Sequence, residues 1–148
     1  MRSSLLGLGI LILLAAGAWY VGAGDKPAAG DDTALLKQGQ YLATDVAHCV
    51  HCHTPHDAKG QPDQAHLLQG ADMDIRPKEK TDHWADESPD ITRNGLAGKW
   101  SEAELVKFLM TGVNPKGDKP TPPMPVFHFH EDDARAIAVY LRSVPAKK

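Results

Sequence analysis

The chain has 148 residues, 42% of them hydrophobic, 24% charged, with a formal charge of −3. That length suits one domain, and a weak negative charge without a basic stripe excludes nucleic acid as a partner. Aromatic residues make up only 6%, a thin supply for a core of this size unless something else contributes apolar bulk. Nothing repeats internally, and no glycine-rich phosphate loop is present.

The N-terminus reads as a membrane address. After Met1-Arg2-Ser3-Ser4, the 19 residues Leu5 to Ala23 carry no charge. As a helix they reach ~28 Å, enough to cross a hydrocarbon core. Trp19 and Tyr20 near the far end match interfacial aromatics. Arg2 before the run and Asp25 after it favour a cytoplasmic N-terminus with the remainder outside. Residues 1–24 are therefore expected to anchor the chain in a bacterial inner membrane, with the remainder in the periplasm. The competing reading is a secretory peptide with Ala16-Gly17-Ala18 as its cleavage site, which leaves a soluble periplasmic protein. Residues 25–32, rich in Pro, Gly, Ala and Asp, form a short tether, and residues 33–148 form the domain.

Thr33 to Thr44 predicts a helix, with Leu35, Leu36, Tyr41 and Leu42 as its apolar stripe. Gly39 inside it costs about 1 kcal/mol relative to Ala, which points to the close approach of another element. Cys49-Val50-His51-Cys52-His53 follows. Cys-x-x-Cys-His is the attachment pattern of a c-type haem: two thiols on one helical turn reach the two vinyl groups, and the next residue offers an imidazole to the iron. Rival readings are a redox dithiol, a structural disulfide, or half of a zinc site, which needs a second ligand pair. One covalent haem c, bound through Cys49, Cys52 and His53, also supplies the missing apolar bulk.

Thr54 to Lys99 is polar, interrupted by Pro55, Pro62, Pro77 and Pro89, and shows no sustained period. A loop of this length needs something to order it. Ala65–Leu68 is expected to pack on the haem, and Pro89-Asp90-Ile91-Thr92 also looks purposeful. Past Trp100, Ser101 and Glu104 form a capping box. Leu105, Phe108 and Leu109 share one face, and Gly112 ends that helix. Val113 to Pro125 is a proline-loaded loop. A last helix spans Glu131 to Ser143, with Glu131, Asp132 and Asp133 at its positive end and Arg142 near its negative end. Ala134, Ile137, Ala138 and Leu141 face inward, with Tyr140 beside them. The fold class is all-α, three or four helices with no convincing strand.

His53 on one face of an iron leaves the opposite face to be filled. Met124 sits within Pro122-Pro123-Met124-Pro125, where prolines fix the backbone and hold a thioether at one distance. The metal ligands are thus expected to be His53 and Met124. His128 and His130 are rival ligands; Met73 lies in a polar loop, and Met110 belongs to a helix core.

These residues together resemble class I c-type cytochromes. More narrowly, the chain is similar to the single-haem domains in cytochrome subunits of bacterial membrane-bound alcohol and gluconate dehydrogenases. The resemblance covers Gly39 to Pro145 and runs through Gly39-x-Tyr41-Leu42-Ala43, the haem motif with Thr54, and Asp90-Ile91-Thr92. It continues with Gly98-x-Trp100-Ser101-x-x-Glu104-Leu105, Pro123-Met124-Pro125 and Tyr140-Leu141-Arg142-Ser143-x-Pro145. Those subunits repeat the haem motif along one chain, whereas this sequence holds it once. The resemblance implies a class I cytochrome c fold, with first and last helices crossing beside the haem at Gly39 and Tyr140, and Trp100 near the propionates. It implies an electron carrier rather than an enzyme, serving donor and acceptor redox proteins of a respiratory chain. A cytochrome subunit of a dehydrogenase complex is the alternative; an open-site haem enzyme or gas sensor conflicts with a filled sixth position.

Overall fold

The computed structural model describes residues 32–79 and 81–145. The expected anchor and nearly all of the tether lie outside the described residues. Among the described residues, no helix is long and apolar enough to cross a membrane.

Helix α1, Asp32–Tyr41, opens with an acid in its first turn, where the helix dipole favours negative charge. Leu35, Leu36 and Leu42 are half-buried, but Tyr41 points outward at 59% exposure, so it does not belong to the buried stripe. The helix does not end at Tyr41. It widens into a π-helical turn over Leu42–Val46, closed by a bond from the Ala47 N–H to the Leu42 carbonyl at 2.8 Å. His48, with φ 54°, then breaks the chain direction and starts α2, Cys49–His53.

The last helix, α5 (Glu131–Ser143), has the limits that its sequence pattern gives and buries Ala134, Ala136, Ile137, Ala138, Tyr140 and Leu141. It packs against α1 at the buried Gly39. A Cβ there would sit 1.9 Å from the Ala136 carbonyl oxygen and 2.9 Å from the Tyr140 Cβ. Only hydrogen fits, which offsets the intrinsic cost of glycine in a helix. Gln38 Nε2 donates to Asp133 Oδ1 across the same crossing at 2.9 Å.

Two further helices pack beside this pair. Within the stretch that sequence alone leaves as loop, Leu96–Lys99 forms one helical turn, α3, with Ala97 fully buried. Helix α4, Glu102–Thr111, starts at the Ser101–Glu104 capping box, in which both reciprocal bonds form, and ends at Gly112 in the left-handed region with φ 69°. Its Leu105 and Leu109 join the core against α5.

Two corrections concern the long middle stretch. First, it contains an antiparallel ladder: β1, Ala71–Asp72, pairs with β2, Glu87–Ser88, Ala71 opposite Ser88 and Asp72 opposite Glu87. Two residues per strand are too few for alternation to show in sequence. Second, Ala65–Leu68 does not line the cavity described below. Gln64–His66 is a 3-10 turn capped by Asp63, and Leu68, fully buried with φ 61°, belongs to the core. Its N–H donates to the buried Thr54 hydroxyl at 2.9 Å, and its carbonyl accepts from Ile91 N–H at 3.0 Å.

Candidate haem-binding site

Alongside this helical frame lies a cavity of about 570 Å³, within the ~300–1,000 Å³ usual for small-molecule and cofactor sites. Cys49, Cys52 and His53 line it from α2, Trp100 and Phe108 from the segment entering α4 and from α4 itself, and Met124 from the proline loop. Cys49, Cys52, His53, Met124 and Trp100, expected from the sequence to attach, ligate or flank the haem, therefore line one cavity. Both cysteines are free. Among the described residues, no group of three or more His, Cys, Asp or Glu is placed to hold a metal ion, so the zinc reading gains no partner ligands there.

His53 is 5% exposed. Its Nδ1 lies 2.8 Å from the Pro89 carbonyl oxygen. A carbonyl only accepts, so Nδ1 carries the proton and Nε2 keeps a lone pair. Burial lowers the pKa of the ring, against the opposing pull of the Pro89 carbonyl and the Asp90 carboxylate. The imidazole is thus neutral and oriented, the form in which histidine ligates metals. Burial pushes the Cys49 thiol up to about 11, so it is uncharged at neutral pH and compatible with an apolar wall.

Trp100 is held on both sides. Its ring meets Phe108 edge to face, centroids 5.3 Å apart. Arg142 Nη1 reaches from α5 to donate to the carbonyls of Ala97 at 2.6 Å and Trp100 at 2.9 Å. Sequence alone assigned Arg142 only to the helix dipole; bonds spanning 45 and 42 residues leave no local signal. The loop carrying Met124 is ordered at its start by the Asn114 side chain, whose Oδ1 accepts from the N–H groups of Lys116 at 2.8 Å and Asp118 at 3.0 Å.

The rival ligands separate clearly. His128 and His130 are exposed and do not line the cavity. Met110 packs against the core. Met73 departs from its expected place: it is buried at 6% exposure and lines the cavity along with Met124. Phe127 lines it too and stacks on Phe129, which packs on the core. No sequence period marks Met73 or Phe127, since both lie in irregular backbone.

Paired thiols on one helical turn, a neutral imidazole with its Nε2 unused and a thioether on the same apolar cavity fit a haem. The profile of the family described as cytochrome c matches residues 36–145. The chain belongs to the cytochrome c family. It is 34% identical over 118 residues to the fructose dehydrogenase cytochrome subunit of Gluconobacter japonicus, covering 74% of this chain and 22% of that protein. It is 36% identical over 134 residues to the gluconate 2-dehydrogenase cytochrome c subunit of Pantoea cypripedii, covering 82% and 29%. A dihaem c-type cytochrome of Cereibacter sphaeroides is 30% identical over 137 residues, covering 88% and 43%. The chain thus spans less than half the length of each of these relatives. The helical fold expected from the sequence is that of cytochrome c, and the chain is an electron carrier, not an enzyme in itself.

Proposed function

We propose that this cytochrome carries one haem c, which Cys49 and Cys52 would bond and whose iron His53 and Met124 would hold. It passes single electrons between redox proteins at the periplasmic face of a bacterial inner membrane, held there by residues 1–24. The observation that carries the ligand assignment is the meeting of His53 and Met124 on one cavity whose edge holds both thiols. When bound, haem supplies a reversible one-electron iron couple. The protein's part is to keep that couple in one geometry. The Pro89 carbonyl fixes the His53 ring, and Pro123 and Pro125 flank Met124 and restrict its backbone. A thioether ligand raises the potential relative to imidazole. Trp100, fixed by Phe108 and Arg142, is the proposed neighbour of the propionates.

The second reading makes the chain the electron-transfer subunit of a dehydrogenase whose catalytic chain is separate. It is favoured by relatives named as cytochrome subunits of fructose, gluconate and alcohol dehydrogenases. Stable copurification with a flavin- or quinone-containing chain distinguishes it.

Three measurements test the proposal. The mass of the acid-denatured chain should exceed the peptide by one haem, and release of all haem into acid-acetone would refute covalent attachment. Met124→His should lower the reduction potential by on the order of a few tenths of a volt, within the ~0.8 V that axial ligands span. If Met124→His leaves the potential unchanged while Met73→Leu shifts it, the thioether is Met73. Carbonate should leave the protein in the membrane fraction; a mature N-terminus near Trp19 with soluble protein would replace the anchor by a cleaved leader.

A further inference from the structure

The stretch between the haem motif and α3 forms one hydrogen-bonded strip that touches both ligand-bearing segments. At one end, Gly70 N–H donates to the His53 carbonyl at 2.8 Å. The Ser88 hydroxyl accepts from Ala71 N–H at 2.9 Å and shares its proton between the Cys52 carbonyl at 2.5 Å and the Ala71 carbonyl at 3.1 Å. Pro89 follows directly and offers its carbonyl to the His53 ring. The strip continues through the β1–β2 pair and the bond from Met73 N–H to the Asp86 carbonyl at 2.8 Å. Trp84 Nε1 closes its two sides onto each other by donating to the Ile75 carbonyl at 2.9 Å. At the far end, Ala85 N–H donates to the Pro122 carbonyl at 2.7 Å, two residues before Met124. Ala85, Glu87, Ser88, Pro89 and Met73 all line the cavity wall between these attachments.

We propose that the two sides of this strip, Gly70–Arg76 and Trp84–Pro89, are a brace that fixes the separation of the His53 and Met124 segments, with Ser88 as its positioning residue. The proposal rests on the ligand assignment above. An iron–thioether bond is weak, so it persists only if the methionine is held where the iron lies. In this chain the bond from Ala85 N–H to the Pro122 carbonyl ties the loop Val113–Pro125 to the brace. Ser88 is the point where it joins α2, because its one hydroxyl serves three backbone groups from two segments. The side chain neither faces the iron as a ligand nor titrates; it acts through the backbone of Cys52 and of its neighbour Pro89.

The test uses the purified holoprotein and three variants: Ser88→Ala, Ser88→Thr, and Ser143→Ala. The last removes a hydroxyl bonded to the Tyr140 carbonyl at 2.6 Å, far along the chain from the brace. Two readouts are compared: cyanide association with the ferric protein, which requires the thioether to leave, and amide hydrogen exchange at Gly70 and Ala85. Ser88→Ala removes all three part-buried contacts of the hydroxyl and should speed cyanide association about tenfold and accelerate exchange at both amides by a similar factor, as a loss of about 1.4 kcal/mol corresponds to. Ser88→Thr should restore both, and Ser143→Ala should move neither. Equal cyanide rates for Ser88→Ala and Ser143→Ala, in a wild type that shows the methionine-to-iron charge-transfer band, would overturn the brace alone. A wild type without that band, and insensitive to Met124→Ala, would overturn the ligand assignment and the brace with it.

Discussion

The α1–α5 crossing and the wall built from residues 54–99 are held by different forces. The crossing is close-packed: Gly39, Ala136, Ile137 and Ala138 are buried, and a carbon added at Gly39 would meet the Ala136 carbonyl. The wall has few buried apolar side chains, chiefly Leu68, Met73 and Ala97. Its order comes from hydrogen bonds of side chains to backbone, at Thr54, Asp57, Asp63, Ser88 and Asp90. Close packing is intolerant of added volume. A bonded loop instead fails one polar group at a time, each worth about 1–3 kcal/mol when its partner is left unsatisfied. The cytochrome thus joins a close-packed frame to a hydrogen-bonded wall, with the cavity between them.

The largest expected effect lies in the frame. Gly39→Leu places atoms where the Ala136 carbonyl stands, and should cost more than about 3 kcal/mol or abolish folding. Thermal unfolding of the holoprotein measures it, and an unchanged midpoint would show that α1 and α5 do not meet as described. Next, Ile137→Ala removes a fully buried side chain and should cost about 3 kcal/mol, read from denaturant midpoints at constant slope.

In the wall, Thr54→Val keeps the shape but leaves the buried Leu68 N–H without its acceptor. It should cost about 2 kcal/mol and raise hydrogen exchange at Leu68 more than at Leu141. Equal changes at both amides would erase the proposed difference between the regions. The smallest effect belongs to an exposed cap. Glu104 has its pKa lowered by the Ser101 backbone N–H first, then by the Ser101 hydroxyl. A depressed carboxylate contributes stability above its unfolded value and loses it as pH falls through the folded one. The stability gap between wild type and Glu104→Ala should therefore be constant at neutral pH and narrow only as pH falls through and below the ordinary carboxylate range. A gap that widens on acidification would contradict the capping role.

Legibility in the sequence follows the same division. The last helix was readable to the residue, because its acids, apolar spacing and following Pro145 all act within a few positions. The capping box at Ser101 was readable for the same reason. Cys49, Cys52 and His53 stood out as a spaced motif, and Met124 through its prolines. The outward turn of Tyr41, the burial of Met73 and the reach of Arg142 were not readable. Met73 and Arg142 are held by partners distant in the chain, Arg142 by Ala97 and Trp100, and the exposure of Tyr41 breaks the apolar stripe that local spacing suggests.

By itself, then, the sequence determined the helices that carry their own period and caps, the chemistry of the haem motif, and a glycine that calls for a close neighbour. Local geometry and covalent spacing suffice for these. Only the tertiary structure decided how the aperiodic stretch is tied down. It set Ser88 against Cys52, Pro89 against His53 and Ala85 against Pro122, and it turned Met73 inward. Those arrangements depend on single hydrogen bonds between residues that are about 36 positions apart. A backbone carbonyl is the acceptor in each, and every residue has one, so the amino-acid sequence carries no mark of which will be used.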